Sequence, residues 1–289
     1  MNTAINTTKT LHDNAMLVTF NVSQWTGRKY DKKVSEKVEL DYNAIDAGRY
    51  NKILIAQEAI KKVNKTAGAA RTFHYENTLP WDDNGARILP AANYLEYTKG
   101  MRELKAVFEA AAAELVANYG ALVDEARIRL NGMFNQADYP DSYDIARKYD
   151  FKVKVNPLPA ADDFRVNLNS GERDKIKSEI EARALEGQAA AMKDLWNRLH
   201  GAIKNMADKL RIENAIFRDS LINNLCELCN LLPRLNMTND PALEDMRKEV
   251  ESALCEYDPN ELREDKETRK AAAAAAADLM NKMSGYMGV

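Results

Sequence analysis

From Tyr97 onward the apolar residues fall at Met101, Leu104, Phe108, Ala111 and Leu115, a spacing of 4-3-4-3-4. Only a helix lines up residues spaced this way, and a heptad seam needs a second helix to cover it. The pattern resumes at Tyr119, Leu122, Ala126, Leu130 and Met133. The extra residues at Leu115–Tyr119–Leu122 act as a stutter, predicted to unwind the helix locally without ending it. A helix over this stretch would be on the order of 60 Å long. Gly120 weakens it by about 1 kcal/mol relative to alanine, which the helix-favouring run Ala110–Ala113 offsets. A second stripe holds Ile176, Ile180, Ala184, Met192, Trp196, Leu199, Ile203, Met206 and Leu210. Asn169 three residues before Glu172 marks its start, in the pattern of a capping box. Two helices of this length predict a long antiparallel helical hairpin, coiled-coil-like, over 91–213.

Tyr139-Pro140 breaks the helical pattern between the two stripes. Phe151, Val153 and Val155 then alternate with Lys152 and Lys154, and Phe164, Val166 and Leu168 with Arg165 and Asn167. The Asn156–Asp163 connection is rich in proline and aspartate. A two-stranded β-ribbon at the hairpin tip, within 138–168, is the expectation. Upstream, the alternation from Met16 to Val22 predicts an N-terminal strand. Asp31–Leu40 reads as a short helix, Tyr50 to about Ala70 as a longer one, and Arg71–Leu89 as irregular. Downstream, Ile216–Leu232 should stop at Pro233. Asp240-Pro241 and Asp258-Pro259 each place a capping acid before a first-turn proline. Ala271–Ala277 form an alanine tract suited to close packing or to a frayed end. The fold class expected is mainly α, with regions 1–90, 91–213 and a C-terminal helical bundle over 214–289. Only 12 glycines and 8 prolines among 289 residues speak against a β-sandwich or a doubly wound sheet, which need many turns.

The charge balance is 41 basic to 44 acidic residues, a net of −3. Global attraction to nucleic acid or an anionic membrane is therefore absent, and a local patch would have to supply it. No run of about 18 apolar residues occurs, so no membrane span is expected. Met1–Asn14 is polar and lacks a secretory pattern. Three cysteines, Cys226, Cys229 and Cys255, suggest reduced thiols in a cytoplasm. Cys226-Glu-Leu-Cys229 has zinc or redox spacing, but it falls inside a helical pattern and lacks further ligands. His12, His74 and His200 are scattered. His74 with Asp82, Asp83 and Arg87 could form an acid–base group, although nothing in the spacing fixes it. No phosphate-binding loop, dinucleotide fingerprint or zinc-protease motif is present. The sequence calls for no cofactor and names no catalytic residue.

The densest local feature is Ser23–Lys33. Trp25 and Tyr30 stand beside Arg28, Lys29, Lys32 and Lys33. Basic and aromatic side chains together suit single-stranded nucleic acid or an acidic protein face. Equally, Trp25 and Tyr30 could anchor a turn while the lysines face water.

The segment Met16-Leu-Val-Thr-Phe-Asn-Val-Ser-Gln-Trp-Thr-Gly-Arg-Lys-Tyr-Asp-Lys-Lys-Val34, followed by Tyr149-Asp-Phe-Lys-Val-Lys-Val-Asn-Pro-Leu-Pro159, resembles a family of bacteriophage proteins. Those proteins carry a strand, a Ser-x-Trp-x-Gly-Arg turn and a long helical body. They are often encoded near a MoxR-type AAA ATPase and a von Willebrand A-type protein. The resemblance implies a role in the host cytoplasm during infection, as an adaptor to such an ATPase or another phage protein, and supplies no active-site residue. Apolar residues off the two seams, such as Leu95, Val107, Val116, Val123, Leu185 and Leu195, call for further partners, so a homo-oligomer is expected. The function expected is that of a non-enzymatic, self-associating interaction or assembly protein. The alternative is a single-stranded nucleic-acid-handling protein that uses residues 23–33.

Overall fold

The computed structural model describes residues 11–82, 84–164, 166, 168–212 and 217–287. The strands are β1 (Ala15–Ser23), β2 (Arg28–Tyr30), β3 (Asn51–Ile53), β4 (Leu79–Pro80), β5 (Ala86–Pro90) and β6 (Asp150–Asn156). The helices are α1 (Lys32–Tyr42), α2 (Gln57–Glu76), α3 (Tyr94–Ala117), α4 (Tyr119–Leu130), α5 (Ser142–Ala146), α6 (Ser170–Arg211), α7 (Ser220–Leu235), α8 (Pro241–Leu254), α9 (Pro259–Glu264) and α10 (Lys266–Met287). The protein is mainly α. One small sheet has the order β4-β5-β1-β6, and a separate ribbon pairs β2 with β3. Two compact units form: Met1–Thr19, Tyr75–Tyr97 and Lys154–Val289 make the first, and Phe20–His74 and Thr98–Val153 the second. Both are discontinuous in sequence, so their limits differ from divisions at 90/91 and 213/214.

In the first unit, β1 pairs antiparallel with β5, from Ala15 opposite Pro90 to Thr19 opposite Ala86. The long helix α6 opens as its sequence dictates, with the Asn169 side chain accepting from the Glu172 N–H at 2.9 Å. Its buried stripe, including Ala184, Ala191, Leu195, Leu199, Ile203 and Met206, shares one core with the C-terminal helices. The alanine tract packs rather than frays: Ala272, Ala273 and Ala276 are buried in that core, and α10 lies along α6. Small side chains allow two helix axes to approach closely. Asp240 and Asp258 cap α8 and α9 as expected. Arg198 donates to the carbonyls of Tyr75, Glu76 and Thr78 at 3.0, 2.6 and 2.7 Å. It thereby serves C-terminal carbonyls of α2 that no helical N–H reaches.

In the second unit, Ile60, Val63, Ala67 and Ala70 form the buried face of α2. Phe73 lies where a Cβ on Gly100 would stand, so that glycine lets the Phe73 ring press against the α3 backbone. Met101, Phe108, Ala111 and Leu115 of α3 are buried. Phe108 meets the rings of Tyr149 and Phe151 at 6.3 and 5.7 Å.

Several expectations are corrected. The helix through 91–134 is two helices, with axes bent by 57° at Asn118. Asn118 has ψ near 0, and the side-chain amide of Asn118 bonds the Glu114 carbonyl at 3.0 Å, competing with the helical ladder. The stripe of α6 is covered by the C-terminal helices, with α10 lying along it, so a hairpin with 91–134 is not the packing that covers it. The β-ribbon at 138–168 is not formed as expected: β6 neighbours β1 in the sheet, and Phe164, Val166 and Leu168 are not strand. Arg165 and Asn167 of that expectation lie outside the described residues, as do Met1–Thr10 of the polar start, Asp83 and Ile216. The 71–89 stretch is more ordered than expected, since α2 runs to Glu76 and β4 and β5 form a hairpin. Its turn uses Gly85 at φ +83. The helix expected from Tyr50 begins only at Gln57, because residues 51–53 are taken by β3. Pro233 sits inside the last turn of α7 instead of stopping it. Cys226 and Cys255 are joined in a disulfide, in place of the free thiols expected, and Cys229 is a buried free thiol. Among the described residues, no single helix is long and apolar enough to cross a membrane.

Two glycines of α6 give opposite expectations. The Trp81 indole occupies the place of a Cβ on Gly187, whereas nothing lies within 4 Å of a Cβ on Gly201. Gly187→Ala should therefore lower stability by about 1–3 kcal/mol through overpacking. Gly201→Ala should raise it by about 0.5–1 kcal/mol through helix propensity. Denaturant midpoints of the two variants check this.

Candidate interaction surface

The second unit is organised around a buried cation. Lys52, in β3, is almost fully buried. Its ammonium lies 3.0 Å from Asp31, 2.6 Å from Asp138 and 3.1 Å from the Met133 carbonyl. Three donors meet three acceptors, which a buried ammonium requires. Lys29, opposite Lys52 in the ribbon, reaches the other oxygen of Asp138 at 2.9 Å. Further bonds tie the same segments together. Arg129 donates to the carbonyls of Ile53 and Leu54, both at 3.0 Å, and the Tyr139 hydroxyl donates to Leu54 at 2.9 Å. Gly27 turns the chain at φ +64, and its carbonyl accepts from the Leu54 N–H at 2.8 Å.

Burial alone would lower the Lys52 pKa, but the hydrogen bonds it donates to Asp138 and Asp31 outweigh it and leave the ammonium above its ordinary value. Asp31 is held below the usual carboxylate range, first by the Lys52 hydrogen bond and then by the Val34 N–H. Burial would raise Asp138, yet bonds from Lys52 and Lys29 bring it below that range.

Asp31 has a second task. Its side chain caps α1 by accepting from Val34 N–H at 3.2 Å. Ser35, the one buried residue of α1, donates to the Asp31 carbonyl and accepts from the Tyr50 N–H, both at 2.9 Å. The start of α1 is thus clamped, while its far end stands in solvent. Leu40, Tyr42 and Ile45 are 81%, 80% and 91% exposed, and Val38 is 43% exposed. Asn43, at φ +48, ends the helix, with its N–H on the Leu40 carbonyl. The charges of α1 run against its dipole, with Lys32 and Lys33 in the first turn and Glu39 and Asp41 in the last. Each such placement disfavours an isolated helix by about 0.3–1 kcal/mol.

The structure distributes the residues of the basic-aromatic segment as follows. Trp25 is buried, edge-on to Tyr119 at 5.7 Å. Arg28 donates to Gln57 at 3.2 Å, and Lys29 is held by Asp138. Tyr30 is half exposed, with the Arg49 guanidinium 5.8 Å from its ring centre. Lys32 pairs with Glu36 at 3.3 Å on α1, and Lys33 is exposed. Lys52 and Asp138, which the sequence did not single out, hold this segment in place. Nothing local marks Lys52 as buried, because its acceptors lie about 20 and 85 residues away along the chain.

A groove of about 530 Å³ lies elsewhere in this unit, walled by Phe108, Ala112, Val116, Tyr149 and Phe151, with Lys105 at its edge. Burial pushes the Tyr149 phenol up to about 12, so it stays protonated at neutral pH. His74 is buried against Phe20 at 5.5 Å. Arg87 binds Thr78 and covers the Tyr75 ring. Burial raises the Cys229 thiol to about 11, which makes it a poor nucleophile. Among the described residues, no three His, Cys, Asp or Glu side chains converge as a metal site. No family model, curated protein or solved structure matches this chain.

Lys52→Met should cost about 3–5 kcal/mol, since it strands two inward carboxylates. Lys29→Ala, at a half-exposed pair, should cost less than about 1 kcal/mol. The pH dependence follows from the directions of shift. The stabilisation from Asp31 and Asp138 is complete above the unfolded value of about 3.9 and lost as pH falls through their lower folded values. That from Lys52 is complete below about 10.4 and lost as pH rises through its higher folded value. Urea midpoints of the native protein should fall in acid below about pH 4, and that fall should shrink in Lys52→Met.

Proposed function

We propose that this chain is a non-enzymatic interaction protein that associates with copies of itself. One observation carries the proposal: Leu40 and Tyr42 at the end of α1, and Ile45 just past its Asn43 cap, stand exposed within six residues, and the base of that helix is fixed by Lys52, Asp31 and Ser35. Isolated surface apolar residues are ordinary, but a cluster on a held element is the usual mark of a protein-binding surface. Ordering has already been achieved by the clamp, so little conformational entropy remains to be lost on binding.

Single-stranded nucleic acid is the less favoured partner. With Trp25 buried and Lys29 engaged by Asp138, the segment 23–33 offers one half-exposed ring, Tyr30, and a reduced set of free cations for stacking and phosphate pairing. The resemblance to phage proteins encoded beside MoxR-type ATPases makes such an ATPase the second partner to assay.

Light scattering across a concentration series should give a mass that rises above 32.6 kDa, and single-stranded oligonucleotides should not bind at physiological salt. A mass of one chain at every concentration overturns the proposal.

A further inference from the structure

Asn131 ends α4 in a conformation that side-chain-bearing residues rarely adopt, with φ +44 and ψ −118. These angles are those of the first central residue of a type II′ turn, the mirror image of type II. Glycine is the usual occupant there, and strain of this kind persists only where the surroundings enforce it. The Asn131 N–H is held by the Arg127 carbonyl, and the Asn131 carbonyl accepts from the Phe134 N–H at 2.9 Å. The next residue is Gly132, and both stand exposed.

We propose that Asn131-Gly132 is a modification site at which the chain acts on itself, closing the Asn131 side chain onto the following peptide nitrogen. Tetrahedral geometry sets Cβ about a third of a turn from the backbone nitrogen around the Cα–C bond. At ψ −118 the Cα–Cβ bond of Asn131 therefore nearly eclipses the C–N bond to Gly132. Cγ, Cβ, Cα, C and the Gly132 nitrogen then come close to one plane, the shape of a five-membered imide ring. A helical or extended residue has to rotate far about ψ to reach it. Gly132 has no Cβ to shield its nitrogen. Among the described residues the Asn131 side-chain amide has no hydrogen-bond partner to give up, whereas that of Asn118 is held by the Glu114 carbonyl.

No oxidant or reductant is needed. The Gly132 nitrogen gives its proton to water and attacks Cγ of Asn131. The new C–N bond forms as the Cγ–Nδ2 bond breaks, and Nδ2 takes up a proton and leaves as ammonia. Water then opens the imide at either carbonyl. One opening leaves aspartate at position 131. The other leaves isoaspartate, in which the main chain runs through Cβ and is one atom longer. That added atom lies just ahead of Met133, whose carbonyl accepts from Lys52 at 3.1 Å. Displacing this carbonyl removes an acceptor from the buried ammonium, so the modification reaches the contacts that join β3, the start of α1 and the turns after α4.

Incubation of the full-length protein at neutral pH, followed by peptide mapping with isoaspartate detection, tests this. Conversion at Asn131 should be at least about tenfold faster in the native protein than in the same chain unfolded in urea, because folding has already set ψ. Asn84-Gly85, the other Asn-Gly pair of the chain, gives the rate of an unfolded pair in the urea sample. A Cβ on Gly132 meets nothing within 4 Å, so Gly132→Ala should keep the native circular dichroism. It should slow conversion at least about tenfold by crowding the attacking nitrogen. Protein carrying isoaspartate should have a lower urea midpoint than fresh protein. Asn131→Gly, which suits the turn and has no amide to lose, should keep its midpoint through the same incubation. A native rate equal to or below the rate in urea overturns the proposal, as does a Gly132→Ala protein that converts as fast. Aspartate formed without isoaspartate also overturns it, since that is hydrolysis of the amide by water with no ring. An unchanged midpoint after isoaspartate has formed overturns the link to Lys52.

Discussion

An ammonium buried in a protein has to find acceptors in several directions at once, and Lys52 draws three of them from two distant stretches of chain. Asp31 follows the end of the β2 strand, and Asp138 and the Met133 carbonyl both come from the turns after α4. Removing any partner would leave charge stranded in a poorly solvated place, so these segments are held together as a set. The ribbon, the start of α1 and the turns after α4 are therefore one construction. Arg129 and Tyr139 strengthen it by bonding the carbonyls of residues 53 and 54.

The consequence for function runs through Asp31. The carboxylate that satisfies Lys52 also caps α1, so the helix emerges from a fixed base. At its far end the chain exposes Leu40, Tyr42 and Ile45. A short helix with an opposed dipole and little burial is marginal by itself. Its cap and the Ser35 bonds keep it formed, and they leave its outer surface available to a partner.

The first unit is built on a different principle. There α6 supplies a long apolar stripe, and the alanine tract of α10 lets a second helix lie close against it. Stability comes from area removed from water and from close packing rather than from ionic pairing. Trp81 over Gly187 shows how tight that packing is, and Arg198 closes the exposed carbonyls at the end of α2.

Local chemistry alone settled much of the chain. The caps Asn169, Asp240 and Asp258, the helices they start, the strand over 16–22 and the helix after Asp31 are all legible in the sequence, because each depends on residues a few positions apart. The break at Asn118 was half legible: the shift in apolar phase was visible, but whether the helix would unwind or bend depends on which surfaces its two halves meet. Covering partners were not legible. A heptad stripe states that something apolar must cover it and not which element will: α6 is covered by the alanine tract of α10, which lies far beyond it in sequence. The same holds for the candidate site. Trp25, Arg28, Lys29, Tyr30, Lys32 and Lys33 were recognisable by composition, yet burial decided that Trp25 anchors the turn and that Lys29 serves Asp138. Lys52 looks in sequence like any surface lysine. Only tertiary structure gave it a buried position, since a side chain's solvation is set by residues far away along the chain, and charge has physical meaning only once that solvation is fixed.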